Sequence, residues 1–153
     1  MKKAAFVVLV LCLAVVASAF GADLYHNILP KSVIVPKSVS DNTAEVGTII
    51  DRLGYGSVTF VIHVGANADN TSLTPSLEEC AVANCSDAAA ATKFIGTLAG
   101  ATHASGTNAV YSFGYGGTKR YLRLTLTPGG ANSDAIFFSA SAILGHKQYR
   151  PAQ

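Results

Sequence analysis

Two sets of residues in this chain have the types and spacing for chemistry. One is the cation run Lys119, Arg120 and Arg123; the other is Cys80 and Cys85 in "ECAVANCSD". Guanidinium and ammonium groups at such spacing could hold an anion, pair with acidic groups of a neighbouring subunit, or lie solvated along a sheet rim. Strand geometry puts Lys119, Tyr121 and Arg123 on one face and Arg120 on the other, so they form no single patch within one strand. Two cysteines separated by four residues can close a disulfide in an oxidising compartment. Zinc is a weak alternative, because no second cysteine or histidine pair accompanies them. Left free, they would be two thiols.

Catalytic constellations are not visible. The histidines are scattered at positions 26, 63, 103 and 146, and each reads as a surface or internally satisfied residue. Glu78 and Glu79 are adjacent, so in a strand they point to opposite faces and cannot share an acid–base site. No G-x-S-x-G elbow, phosphate-binding glycine loop or H-E-x-x-H occurs. The glycines of "GYGG" at Gly114 suit a tight turn or bulge before a strand. Asn70-Thr71-Ser72 and Asn84-Cys85-Ser86 match the glycosylation triplet, a pattern common by chance. No catalytic residue, metal or cofactor is expected.

The elements that would carry these residues read as strands. Leu122, Leu124 and Leu126 alternate with Tyr121, Arg123, Thr125 and Thr127, the pattern of a half-buried antiparallel strand that stops at Pro128-Gly129-Gly130. Val58, Phe60, Ile62 and Val64 share one face of "GSVTFVIHVG". Tyr111, Phe113 and Tyr115 share another. "AIFFSASAILG" places Ile136, Phe138, Ala140, Ala142 and Leu144 on one face, with Phe137, Ser139, Ser141 and Ile143 opposite. That second face is partly apolar, which suits a central strand or a subunit contact.

Weaker signals fill the gaps. Ser32 to Val35 is a short edge-like strand beside Pro36, and Asn42 to Asp51 holds another candidate. "GANADNTSLTPS" reads as a loop followed by a short strand "SLEEC". "SDAAAATKFIG" is ambiguous: Ala88 to Ala91 favours helix and Ser86 or Asp87 could cap it, but the run is too short to be stable alone. Roughly six to eight short strands with frequent turns predict an all-β, single-domain antiparallel β-sandwich or jelly-roll-like fold.

Composition agrees: of 153 residues 50% are hydrophobic and 13% charged, too apolar for disorder and too poor in charge for a coiled coil. Residues 1–22 form an apolar, signal-peptide-like leader, with Lys2 and Lys3 at its start and Ala17-Ser18-Ala19 as a cleavage site. Retained, it would be an apolar arm or anchor. Cys12 lies within it without the small residues of a lipobox. Without the two leader lysines, the eleven Lys and Arg fall to nine, equal to the nine Asp and Glu. Near-zero charge argues against general nucleic-acid binding. Beyond the leader, 23–52 reads as an extended arm with short strands and 53–153 as the sandwich.

A resemblance appears at the cation strand. Gly117, Lys119, Arg120, Tyr121 and Arg123 match a G-x-K-R-Y-x-R strand, and Leu144, Gly145 and His146 an L-G-H motif. With Phe60 to Gly65 and Leu77 to Glu79, the chain resembles a family of small virion proteins of tailed bacteriophages over about Leu53 to Pro151. It departs from the family pattern in Lys147, in the cysteine pair and in the leader. The resemblance implies a capsid decoration or cement protein on the head surface. Such a protein would work by contact with the major capsid protein or with copies of itself, without catalytic residues, nucleic acid or, unless the leader is retained, membrane. Lys119, Tyr121, Arg123, Phe137, Ile143 and His146 are the candidate subunit contacts. The leader and cysteine pair suit the alternative, an exported periplasmic or cell-surface β-sandwich binding module.

Overall fold

A computed structural model of the chain describes residues 24–65, 72–98, 103–104, 108–130 and 135–148. The leader, Cys12 and the Asn70-Thr71 pair lie outside the described residues. Among these residues one helical turn, Leu24–Asn27, precedes eleven strands: β1 (Leu29–Val39), β2 (Glu45–Val46), β3 (Ile50–Asp51), β4 (Tyr55–Val64), β5 (Ser72–Cys80), β6 (Ala89–Ala90), β7 (Phe94–Ile95), β8 (His103–Ala104), β9 (Ala109–Tyr115), β10 (Tyr121–Gly129) and β11 (Ile136–Lys147). They form an all-β sandwich of two antiparallel sheets.

One sheet runs β1-β11-β4-β9-β7. The other has β10 and β5 at its centre, with β2 and β3 paired to the free side of β10 and β6 and β8 to the free side of β5. Each lateral edge of this second sheet is therefore two short pieces with a detour between them. Between β2 and β3 the chain reaches the first sheet, where Thr48 N–H donates to the Val33 carbonyl at 2.9 Å. Between β6 and β8 it reaches the first sheet again as β7, on β9.

The alternation of the long strands explains the core. Leu122, Leu124 and Leu126 of β10 are fully buried, as are Leu73 of β5, Phe60 and Ile62 of β4, and Ile136 and Leu144 of β11. Each such side chain contributes about 1.5–3 kcal/mol relative to exposure. Phe60 and Phe113 are cross-strand partners whose rings stack at 5.4 Å, and Phe94 meets Phe113 edge-on at 6.1 Å.

Several expected boundaries shift. The segment 23–52 does hold short strands, and they are built into the sandwich: β1 is an edge of one sheet, and β2 and β3 flank β10. The short strand at Ser32 to Val35 extends to eleven residues, past Pro36, by bulging between Ile34 and Lys37. Ser72 to Ser76, expected in the loop, begin β5. The alanine run forms no helix; Ala89 and Ala90 pair with Glu79 and Glu78. β10 continues through Pro128 to Gly129.

Gly47 allows the two sheets to approach at the first detour. A Cβ there would stand 2.6 Å from Val33 Cγ1 and 2.8 Å from the Leu124 carbonyl oxygen. Both distances are closer than real Cβ atoms permit, so glycine is required for packing rather than for φ.

Candidate functional site

The six candidate contact residues fall on the two opposite faces of the sandwich. Tyr121 and Arg123 point outward from β10, alternating with the buried leucines. Lys119 lies just before that strand. Phe137 and Ile143 point outward from β11 in the other sheet, and His146 stands near its end. The six therefore form no single surface.

The cations of the opening run have acidic neighbours within the chain. Arg123 and Glu78 are cross-strand partners, and Arg123 Nε donates to Glu78 Oε2 at 2.7 Å. Arg120 donates to both oxygens of Asp51, from Nε at 2.8 Å and Nη2 at 2.7 Å. Hydrogen bonding from Arg120 holds the Asp51 carboxyl below its usual range, and Asp51 in turn raises Arg120. Glu78 raises Arg123 in the same way. These pairs are substantially solvated and contribute little individually to stability.

Glu78 and Glu79 point to opposite sides, as adjacent strand residues must. Glu79 accepts a hydrogen bond from the Tyr115 hydroxyl at 2.6 Å. The same hydroxyl accepts from the Lys119 N–H at 3.1 Å. Burial, then the bond to Glu79, pushes the Tyr115 phenol up to about 12. Arg52 places its guanidinium 5.3 Å from the Tyr115 ring centroid and donates to the Gly117 carbonyl at 2.9 Å. Gly117 of "GYGG" serves a close approach: a Cβ there would fall inside the Tyr115 phenol. Tyr115, Glu79 and Arg52 clasp the loop that introduces β10. Of these three, sequence reasoning placed Tyr115 on its strand face and Glu79 on its own; Arg52 carried no signal.

The cysteines are joined, with an S–S distance of 2.01 Å. Asp87 accepts hydrogen bonds from the N–H groups of Ala81 and Val82 inside the disulfide loop, and these hold its carboxyl below the usual range. This is its role in place of a helix cap. Asn84 of the second glycosylation triplet accepts from the N–H of Ser86, the residue just past that loop.

The outer face of the first sheet differs in chemistry. Ser57, Thr59, Val61 and His63 of β4 face the same side as Phe137, Ser139, Ser141 and Ile143 of β11 and Val110 and Ser112 of β9. These outward positions carry no Asp, Glu, Lys or Arg. Phe137 is 57% exposed and Val110 64%. A hollow of about 490 Å³ at one end is bordered by Pro36, Lys37, Ser38, His63 and Phe137. At the other end Ile143, Thr59 and His146 border a second hollow, of about 390 Å³, beside the helical turn at Leu24. There the Ser57 hydroxyl and His146 Nδ1 are 2.8 Å apart, with His146 in a left-handed backbone conformation at φ 53°. Among the described residues no cluster of three metal-ligating side chains occurs.

No protein-family model matches the chain, and no curated protein matches it. Solved structures share part of its course, two of them as follows. One is the PBSX exported protein XepA, 15% identical, with a TM-score of 0.49 over 82% of this chain and 40% of that one. The other is the N-terminal module pair of Clostridium thermocellum xylanase 10B, complexed with xylohexaose. It is 8% identical, with a TM-score of 0.40 over 80% of this chain and 29% of that one. The chain thus spans less than half the length of either, and neither likeness speaks to what this chain does.

Proposed function

We propose that this protein is a structural protein that works by contact, a virion component of a tailed bacteriophage that decorates or cements the head. The observation that carries the reading is the uncharged middle of the outer face of the first sheet, from Phe137 to Ile143, with Lys37 and Lys147 only at its two ends. Its charged counterpart on β10 and β5 has its Arg and Glu paired within the chain. Removing the uncharged face from water costs no charge desolvation, while Phe137, Val61 and Ile143 supply apolar area. Its occupants would be copies of this chain and the major capsid protein, at the head surface. The resemblance at Gly117 to Arg123 and at Leu144 to His146 supports the same class.

The test is the double substitution Phe137→Asp/Ile143→Asp. Binding to heads and oligomer mass should fall by more than tenfold, while the melting temperature of the isolated subunit stays within a few degrees. Unchanged association would remove this face from the contact.

The Cys80–Cys85 bond favours a second reading, an exported β-sandwich binding module, because disulfides persist in oxidising compartments. Intact mass separates the two. A mature chain starting near Phe20 supports export, and one starting at Met1 or Lys2 supports the virion.

A further inference from the structure

The end of the sandwich where β3 turns into β4 holds a notch of about 240 Å³. It is lined by Arg52, Gly54, Tyr55, Thr118, Arg120 and Gln148, with no Asp or Glu in its wall. Both arginines have partners within the chain. Arg52 sits in a turn closed by its carbonyl accepting from the Tyr55 N–H at 3.0 Å, and its own N–H donates to the Arg120 carbonyl at 3.1 Å. The Asp51 side chain caps the same turn at the Leu53 N–H, and Gly54 takes the φ of 84° that the turn needs. The Arg52 side chain is held by the Tyr115 ring and the Gly117 carbonyl. Arg120 is held by Asp51 through Nε and Nη2 and by the Tyr121 ring, 4.8 Å from its Cζ.

That anchoring leaves donors to spare. Of the five N–H donors on Arg52, one is bound to protein among the described residues, and the Nη1 group of Arg120 is likewise unengaged. Two pre-positioned guanidinium groups at one small concavity, with hydroxyl and amide side chains around them, suit an anion with several acceptor oxygens. Fixed donors lose little freedom on binding. The notch is too small for a drug-sized ligand.

We propose that this notch binds a single phosphate- or sulfate-type oxyanion, bridged between Arg52 and Arg120. The site belongs to the isolated subunit and is independent of the contact reading above.

Inorganic phosphate, titrated into the full chain at constant ionic strength and followed by amide and arginine Nε NMR signals, tests it. Saturable shifts at Arg52, Gly54, Thr118 and Arg120 are expected, half-complete at ~1 mM or below, a modest affinity. Acetate should bind at least tenfold more weakly, and chloride should produce no saturable shift. Arg52→Gln and Arg120→Gln should each weaken phosphate binding at least tenfold, whereas Lys37→Gln, at the opposite end, should not. Should Arg52→Gln fail to fold, Thr118→Ala keeps the test alive, with an expected loss of threefold or more. Equal responses to phosphate, acetate and chloride would overturn the proposal, as would full binding by the folded arginine variants.

Discussion

Tyr115→Phe removes one oxygen and nothing else, so it measures the clasp on the β10 loop directly. The phenol donates to the Glu79 carboxylate at 2.6 Å and accepts from the Lys119 N–H at 3.1 Å. A hydrogen bond to a charged group contributes about 1.5–3 kcal/mol, and the Lys119 N–H also loses its acceptor. The expected cost is about 2–3 kcal/mol near pH 7, about 1 M in the urea midpoint for a slope of about 2 kcal/mol/M. The folded-state phenol titrates at about 12 against an ordinary value of 10.0, raised first by burial and then by the bond to Glu79. That rise sets how the difference falls with pH and is no second measure of the bond. Because the folded value is raised, this contribution is fully present below about pH 10 and is lost as pH rises through 12. The difference between wild type and Tyr115→Phe should therefore be constant from pH 7 to 9 and smaller by pH 11. Other tyrosines titrate equally in both proteins and cancel. Urea melts of the two proteins from pH 7 to 11 make the measurement. A cost below about 0.5 kcal/mol, or a difference that does not shrink by pH 11, would refute the clasp.

Three further outcomes follow from the packing. Leu124→Ala, at a fully buried site, should cost about 2–5 kcal/mol, and the outward Thr125→Ala should stay within about 0.5 kcal/mol; equal costs in denaturant melts would mean the strand register is wrong. Gly47→Ala should destabilise by about 1–3 kcal/mol and speed hydrogen exchange at the Thr48 amide, since the new methyl must part Val33 from Leu124; wild-type exchange there would refute the close approach. Breaking the Cys80–Cys85 bond, with five residues of separation, should cost about 2 kcal/mol, and thiol titration of the unfolded, unreduced chain should find neither of these cysteines free.

Strand periodicity was legible wherever one face is buried along a whole strand. β4, β10 and β11 alternate cleanly because each is paired on both sides and packed on one face. The prolines misled at β1, β5 and β10 because sequence alone does not show where a ladder has gaps. Pro75 pairs with Leu126 on one side, and on the other it stands between β8, which covers Ser72 and Leu73, and β6, which covers Glu78 and Glu79. Pro36 sits at the bulge of β1, and Pro128 beyond the reach of β2. No ladder bond need be lost at these places. The alanine run is helical by propensity, yet four residues cannot outweigh pairing with an open sheet edge. The charge partners were illegible for another reason. Arg123 meets Glu78 across 45 residues and Arg120 meets Asp51 across 69, so both depend on strand registers that no local pattern reveals.

The edges of the sandwich narrow how a partner can join. The second sheet ends on both sides in two-residue pieces, and β1 at the edge of the first carries Pro30, Lys31, Pro36 and Lys37. Short pieces, prolines and lysines are devices that discourage an added strand. The proposed association would then use a face or an end, and the two faces would respond differently to salt. Contact through Arg123 and Glu78 would depend on opened ion pairs and weaken steeply as the screening length falls from about 10 Å at 0.1 M to about 3 Å at 1 M. Contact through Phe137, Val61 and Ile143 removes apolar area without charges and should persist or strengthen in sulfate. Oligomer mass and head binding measured from 0.1 to 1 M sodium chloride, and again in sodium sulfate, distinguish them. Affinity that holds within threefold favours the uncharged face. A loss of a hundredfold would move the contact to the β10 face and refute the assignment of Phe137 and Ile143.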